Sequence, residues 1–108
     1  MSKIYRQGDV LIKEISSIPK GIEQVKPDEN GLIILAYGEV TNHHHSFNIT
    51  DSKVKMFGKD EGGPRFIEIE RPSYLRHQEH KSIELPSGKY EVLIQSEYSP
   101  KQIARVRD

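Results

Sequence analysis

Apolar and polar residues alternate along this chain in short stretches, and no segment sustains the three-to-four-residue spacing of an amphipathic helix. Val10, Ile12 and Glu14 alternate with Leu11, Lys13 and Ile15 after the turn-forming Gln7-Gly8-Asp9, which predicts a strand. Residues 16–30 carry Pro19, Gly21, Pro27 and several charges and read mainly as loop. Leu32–Tyr37 is a continuous apolar run opened by Asn30-Gly31 and closed by Gly38. A run this short, rich in branched residues and bounded by glycines, predicts a buried strand. Phe47 with Ile49, Val54 with Met56, Ile67 with Ile69, and Ile83 with Leu85 continue the extended pattern. Tyr90, Val92, Ile94 and Tyr98 share one face of the most regular strand. Residues 58–64 (GKDEGGP) and Pro86-Ser87-Gly88 are turns, Ser99-Pro100 ends the last long strand, and residues 103–106 form a short strand or a helical turn. Roughly seven or eight strands with turns every ~8–12 residues are the spacing of a sandwich or barrel. The expected fold is therefore all-β, a small β-barrel or jelly-roll-like sandwich, with residues 1–108 forming a single β domain.

Composition narrows the function classes. The chain has 108 residues, of which 34% are hydrophobic and 30% charged, enough for one lean core. Lys+Arg and Asp+Glu each number 16, giving a formal net charge of zero. That balance lacks the electrostatic footprint of a nucleic-acid or anionic-membrane binder, and weak self-repulsion leaves a homo-oligomer open. The absence of cysteine excludes disulfides, thiolate metal sites and thiol nucleophiles. The N-terminus MSKIYRQGDV has no apolar signal region, and no segment approaches the ~18 apolar residues of a membrane span. A cytoplasmic protein is the expectation.

All five histidines fall in two windows, His43-His44-His45 and His77 with His80. On a strand, His43 and His45 face the same side and His44 the other. Two imidazoles one repeat apart can lean onto a common ion at ~2.0–2.1 Å. A His-x-x-His spacing gathers both rings on a turn, so His77 and His80 belong at a corner between the strand around Tyr74 and the one at Ile83 and Leu85. The resulting expectation is one metal site on His43, His45, His77 and His80. Imidazole suits several divalent transition metals, with zinc first on availability. Glu79 is a fifth ligand, an outer partner or, if the ion does chemistry on a small molecule, the proton carrier. Four histidines would close a tetrahedral shell, whereas three plus water would leave it open.

The stretch from Gly38 to His45 (GEVTNHHH), in an all-β chain with a later Pro86-Ser87-Gly88, resembles a cupin. Cupins are jelly-roll barrels holding a metal on a His-x-His, a following glutamate and a last histidine. His43 and His45 carry over; the glutamate and the last histidine have no counterpart in place here. The chain also resembles a group of small bacterial and phage proteins that share the Tyr5-to-Asp9 start, the Gly38-to-His45 stretch and the His77-to-Tyr90 stretch.

Other chemistries find little support. No serine lies in a nucleophile elbow, and Gly62-Gly63-Pro64 lacks the lysine and helix start of a phosphate loop. Glu68 and Glu70 alternate with apolar residues as a solvated face would. Arg65, Arg71 and Arg76 with Tyr74 could form a small basic-aromatic patch, but zero net charge argues against nucleic-acid binding. The competing class is a structural or interaction protein, such as a phage or virion component, whose histidines line an interface between copies.

Overall fold

A computed structural model describes residues 3–37, 43–58 and 64–94. Ten strands are described: β1 (Ile4–Gln7), β2 (Val10–Ile15), β3 (Gln24–Val25), β4 (Leu32–Tyr37), β5 (His44–Asn48), β6 (Lys53–Phe57), β7 (Arg65–Arg71), β8 (Ser73–Leu75), β9 (Ile83–Leu85) and β10 (Gly88–Ile94). Every described pairing is antiparallel. No described helix is long and apolar enough to cross a membrane.

One layer is a six-stranded sheet in the order β1-β2-β10-β7-β6-β3. Alternation along its strands sends Val10 and Ile12, Tyr90 and Val92, Ile67 and Ile69, and Met56 to one buried face. The second layer is built from two pairs, β4 with β5 and β8 with β9. Its Ile33, Leu35, Ala36, Phe47, Leu75 and Leu85 join the same core cluster as the sheet's inner face. A register shift between Ile34 and Ala36 lets both Leu35 and Ala36 turn inward. β1 and β3 end the sheet without pairing to each other. The architecture is thus sandwich-like, and the described strands do not close into a barrel.

The structure departs from the sequence pattern in particular places. β1 forms although Ile4 is exposed and the polar Gln7 is buried, so no apolar alternation marks it. The loop expected over 16–30 contributes the two-residue β3, held to β6. Tyr90 is core, its hydroxyl donating to the Pro86 carbonyl at 2.7 Å, and burial pushes its phenol up to about 12. Tyr37 and Tyr74 lie on the surface. The basic-aromatic patch does not form as such. Arg76 sits 5.8 Å from the Tyr74 ring, but Arg65 is buried and donates to the carbonyls of Leu35 and Gly58, tying the two layers together. Expectations for residues 38–42, 59–63 and 95–108, including Tyr98 and the terminal strand, lie outside the described residues.

Removing the Arg65 tie would strand carbonyls in a dry interior. Arg65→Met is expected to cost about 2 kcal/mol or more, the penalty of buried acceptors left without donors. Urea denaturation measures it, and an unchanged midpoint would show that the tie contributes nothing.

Candidate functional site

The two histidine windows meet because of one backbone contact. Ser46 in β5 and Arg76, just past β8, pair as an isolated antiparallel bridge and exchange two N–H···O=C bonds of 2.9 Å. In an antiparallel register, one step outward places His45 opposite His77, the next His44 opposite Gln78, and the next His43 opposite Glu79. The side chains follow. The His45 and His77 rings lie 4.4 Å apart. The His44 amide donates to Gln78 Oε1 at 2.8 Å, and His43 Nδ1 lies 3.8 Å from Glu79 Oε2. An outer clamp holds the bridge: Arg76 pairs with Asp51 at 2.6 Å, and that hydrogen bond keeps the Asp51 carboxyl below its usual range.

His45 is the buried centre of the cluster, only 1% exposed. Its neighbour on the sheet side is Gln7, also buried. Gln7 Nε2 donates to the carbonyls of Leu75 and Lys81, both at 2.9 Å, which leaves Oε1 facing His45 Nδ1 at 2.8 Å. An amide oxygen only accepts, so His45 carries its proton on Nδ1 and keeps a lone pair on Nε2. That Nε2 points at Asp9, 3.5 Å from Oδ1. Burial, helped by the neighbouring His77 and opposed by Asp9, lowers the His45 pKa to about 4.

Asp9 reaches this point through the tight turn between β1 and β2. Gln7 pairs with Val10, leaving only Gly8 and Asp9 in the loop, and Gly8 takes φ +61° as such a turn requires. A side chain at Gly8 would also press on the cluster and displace the His80 ring. Its Cβ would fall 2.7 Å from His80 Nε2 and 3.3 Å from His45 Cε1. The turn therefore forms one wall of the site, with the rings of His45 and His80 packed against it.

The corner between β8 and β9 supplies the other wall. His77 and His80 have ring centroids 4.6 Å apart, and the His80 ring lies 6.0 Å from His45 and nearly parallel to it. His77 Nδ1 accepts the amide N–H groups of Glu79 and His80, at 3.0 and 3.3 Å. Burial and the nearby His80 and His43 imidazoles lower its pKa. His43 packs edge-on against His77 at 5.6 Å, and its Nδ1 faces exposed Glu79 at the rim. His44 turns away, bonding Ser46 Oγ at 3.0 Å.

The structure thus brings His43, His45, His77 and His80 into one cluster, and it adds Asp9 and Gln7, which read in the sequence only as turn residues. Among the described residues no three His, Asp or Glu side chains are disposed to grip one ion as they stand. One pair has suitable spacing. Two ligand atoms about 2.0–2.2 Å from a tetrahedral ion lie about 3.3–3.6 Å apart, and His45 Nε2 and Asp9 Oδ1 are separated by 3.5 Å. Glu39, an outer partner suggested by its nearness to His43 in sequence, lies outside the described residues.

The family model described as Domain of unknown function (DUF8820) matches residues 6–95, and the chain belongs to that family. The matched span includes every residue of the cluster. No curated protein and no solved structure matches the chain.

The burial of neutral His45 has a measurable consequence in chelator-treated protein. Its folded pKa of about 4 lies below the unfolded 6.5, so the unfolded chain takes up the proton first. Stability should fall as pH drops from about 6.5 to about 4, by on the order of 3 kcal/mol. Urea titrations at several pH values should show a shallower loss over this window in His45→Gln than in the parent. Equal slopes would mean that His45 is not held neutral by the fold.

Proposed function

We propose that this member of the DUF8820 family is a metal-binding β domain that holds one divalent transition ion, zinc first, between His45 Nε2 and the Asp9 carboxylate. His80, whose exposed ring packs over Gly8, turns in as the third ligand and leaves a fourth position open, the pattern of zinc sites that accept an exogenous group. The observation that carries this reading is the facing pair of acceptors. A buried imidazole lone pair faces a carboxylate oxygen at 3.5 Å, the spacing of two ligand atoms on one tetrahedral ion. The Gln7 bond to Nδ1 has the form of the outer hydrogen bond that ligating histidines usually make. The cupin resemblance supports the same reading through the His43-to-His45 window alone.

A cluster serving as an interface between copies is less favoured. His45 is buried by its own chain, and Gln7 and Asp9 engage both of its nitrogens. If the open position supports chemistry, the exposed Glu79 beside His43 is the nearest acid–base pair at the rim.

Equilibrium dialysis of untagged protein against zinc, read by elemental analysis, is expected to give about one ion per chain. Asp9→Asn and His45→Gln should each weaken binding by at least the 10–100-fold seen on losing an outer partner, while His44→Gln leaves it unchanged. Full affinity in His45→Gln would refute the assignment.

A further inference from the structure

We infer that the open position of this centre takes a small anion of carboxylate or azide size, and that His77 recognises it as a hydrogen-bond donor rather than binding the ion itself. The inference rests on the metal reading above and assigns that site its ligand class.

Two backbone amides fix the tautomer of His77. The N–H groups of Glu79 and His80 both point at Nδ1, at 3.0 and 3.3 Å. An atom that accepts two N–H donors carries no proton, so the neutral ring holds its proton on Nε2. A protonated nitrogen has no lone pair for a metal. Moving the proton to Nδ1 would set a third N–H against the two amides and break both bonds. His77 and His45 therefore have opposite tautomers: Gln7 leaves the lone pair of His45 Nε2 exposed to the site, and the corner backbone leaves an N–H on His77 Nε2.

Nδ1 faces the ring's own loop, so Nε2 projects from the opposite edge. The His77 ring lies 4.4 Å from His45 and 4.6 Å from His80, beside both proposed nitrogen ligands. That proximity carries the placement of its donor beside the ion. Charge selects the guest. A divalent ion with one carboxylate and two neutral imidazoles retains a net charge of about +1, which a monoanion cancels. Space limits its size, because the Gly8 turn closes one side and His43, edge-on to His77 at 5.6 Å, stands on another. The exposed His80 leaves an approach from solvent.

The test uses the full chain loaded with Co(II) and titrated with sodium azide, followed by the visible d–d absorption. The parent should show a saturable spectral shift. His77→Leu should weaken azide by about 10–100-fold, as expected for losing one hydrogen bond to a charged group, with cobalt affinity unchanged. His77→Gln, which can place an N–H where the imidazole Nε2–H stood, should restore azide binding to within a few-fold. Equal azide affinity in His77→Leu overturns the inference. Loss of cobalt from both variants overturns it differently, by making His77 a ligand while the metal reading stands. A parent chain that takes up no cobalt overturns the metal reading and this inference together.

Discussion

Ser46 and Arg76 trade a pair of backbone hydrogen bonds, and that antiparallel contact decides where the histidines go. It joins the β4–β5 pair to the β8–β9 pair, so the second layer runs continuously across the core. It also fixes the register in which His45 meets His77 and His43 meets Glu79. Strand side chains alternate faces, so a slip of one residue would send the buried His45 outward and put His44 in its place. Phe47 and Leu75, both fully buried and one step inward from the bridge, resist such a slip because it would expose them. The apolar core thus enforces the register on which the polar cluster depends.

A polar cluster at the edge of a core is costly unless its groups are satisfied. Here the satisfaction is directional. Gln7 spends both amide hydrogens on the carbonyls of Leu75 and Lys81 and its oxygen on His45. One buried side chain therefore joins β1 of the six-stranded sheet to the corner of the opposite layer and sets the tautomer of the central imidazole. Gly8 allows the turn to press against the rings, and Asp9 arrives opposite the remaining lone pair. Three consecutive residues that shape a hairpin turn also shape a candidate ion site. That economy makes the site sensitive to the turn as much as to the histidines.

The all-β architecture was legible because its evidence is local. β2, β4, β6, β7 and β10 each announce themselves by period-two alternation or a short branched run. The two histidine windows were legible as candidates, but their meeting depends on the Ser46–Arg76 bridge, which no local pattern marks. What could not be read was the pairing across layers. Asp9 is distant in sequence from His45, and no pattern near Gln7-Gly8-Asp9 distinguishes a wall of a site from an ordinary turn. Nor could spacing assign tautomers. His-x-x-His suggested two equivalent ligands, and nothing in that spacing foretold that the Glu79 and His80 amides would occupy Nδ1 of His77. β1 stayed hidden for a related reason: its buried residue is a glutamine, retained for its hydrogen bonds rather than its hydrophobicity.

The proposed centre requires a cation to fit between His45 and Asp9. Crystals of the zinc-loaded protein, measured on either side of the zinc absorption edge, test it directly. The account predicts one anomalous peak per chain within about 2.0–2.2 Å of both His45 Nε2 and an Asp9 carboxylate oxygen, with Gln7 still bonded to His45 Nδ1. A peak seated instead on His43 and Glu79, or none at all near His45, would contradict it.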